Sequence, residues 1–135
     1  MTYLLDTCTC IDVLRGRSMV TGKLSQVSPD ECSVSTITIY ELHSGVERCR
    51  SPNSERKKVN QFLGAVHRLD FNAEAALQGA QIRSNLESEG NTIGPYDLLI
   101  AGHALALGLI LVTGNIKEFG RIASLRVLDW SRSDS

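Results

Sequence analysis

The 135-residue chain has no GxGxxG after its first apolar run and no phosphate-loop lysine motif, so neither a dinucleotide site nor a P-loop is supported. Its four cysteines, Cys8, Cys10, Cys32 and Cys49, make no CxxC pair, and no histidine stands at zinc-finger spacing from them. A domain of this length does not need disulfides, and no leader precedes Asp6, so reduced thiols in a cytoplasm are the expectation. No apolar run is long enough to cross a bilayer. The longest, residues 98–112, is interrupted by Gly102, His103 and Gly108. An excess of basic charge is missing too: 14 Lys and Arg face 15 Asp and Glu. That removes the general basic footprint of a nucleic-acid binder without closing the possibility, because site carboxylates lower the net charge and a divalent cation reverses the local sign. Repeats and low-complexity segments are absent. With 42% hydrophobic and 21% charged residues, the expectation is one globular domain over residues 1–135 with a real core.

What is present begins with Tyr3-Leu4-Leu5-Asp6-Thr7, a short apolar run that lands on a carboxylate and a hydroxyl. It predicts a buried strand feeding a helix over residues 10–14, with residues 15–17 as its stop. Met19, Val20, Leu24 and Val27 predict a second short helix, closed by Ser28-Pro29-Asp30. Residues 32–35 predict a strand, capped by Ser35 or Thr36 into a helix with Ile37, Tyr40, Leu42 and Val46 among its apolar positions. Further on, a charged helix is expected over residues 54–63 and a weakly marked strand over 66–71. A helix then runs from the cap Asn72 to Gly90, and another from Gly94-Pro95 to Gly108. Residues 109–112 read as a compact strand, 113–120 as a loop or short helix, and 125–130 as a last strand. Short strands alternating with helices predict a parallel sheet covered on both faces.

Three acids stand at the ends of these elements: Asp6 after the first strand, Glu41 early in the helix after the second, and Asp97 just inside the helix opened by Pro95. Thr113-Gly114-Asn115, with Glu118, follows the compact strand. Taken singly, each has an ordinary structural role. Asp6 or Thr7 caps a helix, Thr38-Ile39-Tyr40-Glu41 fits a capping box, Asp97 complements a helix dipole, and Asn115 suits a turn. Taken together they point elsewhere, because loops following parallel strands gather at one edge of the sheet. Carboxylates gathered there repel unless a cation sits between them, and Mg²⁺ and Mn²⁺ favour such oxygen donors. The set suggests metal-dependent hydrolysis of a phosphodiester. An aspartyl-nucleophile phosphatase would want a second acid where Cys8 stands, and Cys8 has no histidine near it in sequence, so an inert small residue is expected. His43, His67 and His103 make unconvincing ligands, and His103 reads as a satisfied core histidine.

Tyr3-Leu4-Leu5-Asp6-Thr7, residues 35–42, Gly94-Pro95-Tyr96-Asp97 and Val112-Thr113-Gly114-Asn115 with Glu118-Phe119 resemble the successive motifs of PIN-domain ribonucleases, and among these the VapC toxins of bacterial toxin–antitoxin pairs. The resemblance spans nearly the whole chain. It implies a three-layer α/β/α domain around a central, mainly parallel sheet of four or five short strands. It also implies an Mg²⁺- or Mn²⁺-dependent endoribonuclease, with tRNA among the family's substrates, a neutralising VapB-like antitoxin, and a homodimer. By position, Asp6, Glu41 and Asp97 would hold the metal and organise the attacking water, and Thr7 would support Asp6 through a hydrogen bond. Two departures bear on this. Cys8 stands where the family often has Asn, and the fourth acidic position falls on the neutral Asn115, for which Glu118 would compensate. Lys117 and Arg121 are the expected phosphate contacts, and Tyr40 and Tyr96 are expected in the core rather than stacked on bases. The alternatives are a catalytically weak PIN-fold module that binds antitoxin or RNA, and a phosphatase acting on small phosphate esters.

Overall fold

The computed structural model describes residues 1–132, so the last three residues of the expected 1–135 domain lie outside it. Five strands form one sheet: β1 (Tyr3–Leu5), β2 (Cys32–Ser35), β3 (His67–Leu69), β4 (Ile110–Val112) and β5 (Val127–Leu128). Their order is β3-β2-β1-β4-β5, and each pairing is parallel. The chain moves outward from β1 through β2 to β3, then returns to lay β4 on the other side of β1. The order therefore reverses between β1 and β4, where an open α/β sheet leaves a crevice above its carboxyl ends.

Among the described residues seven α-helices cover the sheet: α1 (Thr7–Leu14), α2 (Ser18–Ser25), α3 (Thr36–Arg48), α4 (Pro52–Ala65), α5 (Ala73–Ser88), α6 (Pro95–Leu107) and α7 (Ile116–Phe119). Successive strand residues point to opposite faces, and the core divides accordingly. Leu4 and Leu111 pack with Ile82 and Leu86 of α5, Ile100 and Ala104 of α6, and Phe119. Leu5 and Val112 pack on the other face with Cys10, Val20, Leu42, Val46, Val59 and Phe62 from α1 to α4. This is the expected three-layer α/β/α arrangement, with all five strands parallel.

Local chemistry places most boundaries. The Asn72 side chain accepts a hydrogen bond from the Ala75 N–H and starts α5, and Pro95 occupies the first turn of α6. Gly108, at φ 66°, closes α6 in the left-handed conformation that glycine adopts without steric cost. Three expected boundaries shift. The first helix begins at Thr7 rather than residue 10, because Asp6 already caps it. The helix expected from residue 54 begins at Pro52, a residue suited to a first turn as well as to a break. The last strand keeps only two of the six residues expected.

One contact fixes the position of α6. A Cβ added at Gly102 would lie 2.5 Å from the Gly79 backbone nitrogen, 2.7 Å from its Cα and 2.8 Å from the Ala75 carbonyl oxygen. Helices α5 and α6 therefore cross backbone against backbone, and α6 enters the sheet edge at a set height.

Candidate active site

Asp6 sits at the carboxyl end of β1, with its own N–H bonded to the Val112 carbonyl of β4 at 3.0 Å. It stands in the crevice where the strand order reverses. Its side chain is also the N-cap of α1, accepting from the Thr9 N–H at 2.8 Å. Capping and site roles, read as alternatives in the sequence, coexist in one carboxylate. Only 2% of Asp6 is exposed. Burial pushes its carboxyl up, and hydrogen bonding from Thr113 and from Thr9 pulls partly the other way. Thr9 spends its hydroxyl proton on the Val112 carbonyl at 3.0 Å, so the Thr113 hydroxyl is the side-chain donor consistent with that geometry.

Glu41 does not belong to a capping box. Ser35 caps α3, its hydroxyl accepting from the Ile37 N–H at 3.1 Å, which places Glu41 well inside the helix. Its Oε1 instead accepts from the Thr7 hydroxyl at 2.6 Å. The Thr38 hydroxyl stands 3.1 Å from that of Thr7. Each hydroxyl has one proton, so Thr7 donates to Glu41 while Thr38 donates to Thr7. The sequence reading paired Thr7 with Asp6. The hydrogen bond goes to Glu41, because packing of α1 beside α3 turns the Thr7 side chain away from β1.

Asp97 is the third residue of α6. Its carboxyl is pushed up to about 6, first by burial and then by Asp6, Glu41 and Glu118. Every charged group acting on it is thus another acid. The same convergence surrounds Cys8. Its thiol is raised to about 11, by burial first and then by Asp6, Asp97, Asp12 and Glu41. A thiol so placed stays protonated near neutrality and is a poor nucleophile, as expected for an inert residue.

The fourth motif closes the edge. Asn115 donates its backbone N–H to the Thr113 hydroxyl at 2.9 Å and its side-chain amide to Glu118 at 2.9 Å. Lys117 is exposed on the same short helix. Arg121 is exposed as well, but its guanidinium reaches the Thr92 carbonyl at 3.1 Å and ties α7 to the loop preceding Pro95. The structure thus brings Asp6, Glu41, Asp97, Thr7, Asn115 and Glu118 to one edge, with Lys117 beside them and Arg121 turned to a neighbouring loop.

Among the described residues, no three carboxylate, thiol or imidazole side chains converge as tightly as they do around a bound ion. Glu41 is drawn to Thr7 and Asp6 to Thr9. The donor set nevertheless suits a hard divalent cation: it is all oxygen, all acidic, and includes a buried carboxylate whose charge is costly without a counter-ion. Sequence reading missed Thr9, whose N–H holds Asp6, and the parts that the Thr38 and Thr113 hydroxyls play beside the acids. Their signal, a threonine within three residues of an acid or just after a strand, is too common to single them out. Tyr40 and Tyr96 were expected in the core. They are exposed, their rings 5.5 Å apart. His103 is the expected core histidine: its Nδ1 lies 2.9 Å from the Ser35 hydroxyl, and its ring meets Phe71 edge-on.

Comparison with known proteins follows the same lines. The PIN domain family profile matches residues 3–125. The tRNA(fMet)-specific endonuclease VapC of Salmonella typhimurium is 35% identical, covering 96% of this chain and 98% of that protein. Ribonuclease VapC2 of Haemophilus influenzae is 34% identical over the same shares. The crystal structure of DNA-bound VapBC from Salmonella typhimurium superimposes with a TM-score of 0.91 at 35% identity, covering 96% and 98% of the two chains. With nearly full-length relatives at this identity, and an acidic edge built on the fold they share, the chain belongs to the PIN-domain family, among the VapC ribonucleases.

Proposed function

We propose that this protein is the toxin of a VapBC-like toxin–antitoxin pair, and that it hydrolyses phosphodiester bonds in tRNA, the initiator tRNA first among them. The observation that carries this reading is the gathering of Asp6, Glu41 and Asp97 at the carboxyl edge of the sheet, where burial and then the neighbouring acids raise Asp97. The substrate follows from relatives named for tRNA(fMet).

Asp6, Glu41 and Asp97 are the residues that would hold Mg²⁺ or Mn²⁺. A divalent cation bound there acidifies water and neutralises charge building on the phosphate. The protein's own part is positional. Thr9 fixes the Asp6 carboxylate, Thr7 orients Glu41, and Glu118, steered by Asn115, adds negative charge beside Asp97. Lys117 and Arg121 would meet RNA phosphates at the rim, contacts that give affinity without sequence information. A groove of about 570 Å³ runs between α1, α3 and α4, floored by Leu14, Leu42, Val46 and Val59, edged by Arg15 and Arg50, and open to Glu41. A VapB-like antitoxin segment lying there would cover Glu41. Among the described residues no helix is long and apolar enough to cross a membrane. A homodimer working in the cytoplasm is part of the same proposal.

Purified, antitoxin-free protein incubated with an initiator tRNA transcript and Mg²⁺ or Mn²⁺ should release discrete fragments. EDTA and Asp6→Asn should each abolish them. Folded protein that leaves initiator tRNA and total structured RNA intact would instead be a binding module.

A further inference from the structure

We propose that Tyr40 and Tyr96 form a two-ring platform on which an unpaired base beside the scissile phosphate stacks. The inference rests on the nuclease reading above and adds to it the kind of nucleotide the site accepts.

Both rings are exposed, Tyr40 by 55% and Tyr96 by 42%, in a protein whose other aromatic residues are mostly covered. They come from different helices, α3 and α6, yet their hydroxyls lie 3.4 Å apart and their planes are tilted by 52°. Tilted rings do not lie flush on each other, so each keeps a face for another π system. Tyr40 directly precedes Glu41, and Tyr96 directly precedes Asp97. Successive helical residues point about 100° apart, so each ring stands beside the acid cluster rather than within it.

Charge explains why such a platform is needed there. The chain has no net positive charge, and each ring is followed directly in sequence by an acid, Glu41 or Asp97. A phosphate approaching that edge meets repulsion from the protein's own side chains. Base stacking on an aromatic ring is indifferent to charge and supplies affinity for any base. It requires a base out of its helix, since paired bases in A-form RNA offer edges and not faces. The preferred cut is therefore in a loop or an unpaired end.

The test uses initiator tRNA transcript and steady-state kinetics with Mn²⁺. Tyr40→Leu and Tyr96→Leu should each raise KM about tenfold or more with kcat little changed, while Tyr40→Phe and Tyr96→Phe stay within about threefold of wild type. A transcript carrying an abasic nucleotide next to the mapped cut should cost the wild type as much as the Leu changes do. It should cost the Tyr40→Leu/Tyr96→Leu double variant little more. Circular dichroism melts confirm that each variant is folded, and sedimentation gives its mass. Leu variants with wild-type KM would overturn the inference and leave the nuclease reading standing. So would Phe variants as impaired as Leu variants, since the hydroxyls and not the rings would then matter. A drop in sedimenting mass that accompanies the loss would mean that a second copy of the chain covers the pair, again overturning it. A wild-type protein that cleaves no RNA would sink both readings together.

Discussion

Helix α6 is held in two opposite ways along its length. At Gly102 it is pressed against α5 so tightly that even a methyl group has no room. Five residues earlier, at Asp97, it enters an acidic region, where burial first and then three other acids raise its carboxyl. The close-packed part supplies rigidity, and the charged part spends it. A carboxylate can be kept beside other carboxylates only when the backbone behind it cannot retreat. The difference teaches where to look for function in this fold: the element that is most constrained in its middle is the one that carries the most unfavourable charge at its end.

Breaking the charged end should have the largest effect. Asp97→Asn should lower RNA cleavage by about 10³-fold, a few kcal/mol of barrier, while the thermal midpoint in metal-free buffer stays level or rises as repulsion is relieved. A midpoint that falls would mean the acid stabilises the fold instead. Breaking the packed middle should do the reverse. Gly102→Ala must push two backbones apart, costing about 2–3 kcal/mol and lowering the midpoint by ~10 °C in a melting experiment. If the surviving folded fraction cleaves RNA at the wild-type rate, the link between the crossing and the site is broken.

Smaller changes sharpen the contrast. Thr7→Val keeps the shape of the side chain and removes the proton that orients Glu41. Cleavage should fall about tenfold or more with the midpoint little changed, measured under single-turnover conditions. The smallest expected effect lies in the packed half. His103 is buried beside Ser35 and Phe71, and burial holds its imidazole below the ordinary value of about 6.5. The unfolded chain therefore takes up a proton that the folded chain refuses. Stability is full above that ordinary value and declines as pH falls toward the lowered folded one. Midpoints measured between pH 5.5 and 7.5 should show this slope, and His103→Asn should flatten it.

Much of this was legible in the residues because it is local chemistry. Asn72, Gly94-Pro95 and Gly108 mark helix ends through their own side chains and backbone angles, and Asp6 is visible as an acid ending an apolar run. The resemblance of four spaced motifs carried the family. What could not be read depended on neighbours distant in sequence. Nothing in residues 3–5 says that β2 and β4 flank them, so the reversal beside β1 was invisible. The residues offered both a Ser35 cap and a Thr38-to-Glu41 capping box for the same helix, and only the folded backbone shows that Ser35 takes the cap. Thr7 was assigned to the acid next to it in sequence, whereas helix packing delivers it to Glu41. Tyr40 and Tyr96 were placed in the core by their bulk, a preference that does not hold beside a cluster of charges.

The pairing of β1 with β4 has a consequence for how the protein is made. Asp6 leaves the ribosome long before Val112, yet its N–H is bonded to the Val112 carbonyl. Until then β1 has no partner on one side, the Thr9 hydroxyl has no carbonyl to hold, and α6 with Asp97 has no strand behind it. Native contacts this far apart in sequence form late. The site is thus completed only once β4 has emerged, and until then the growing chain cannot cut RNA.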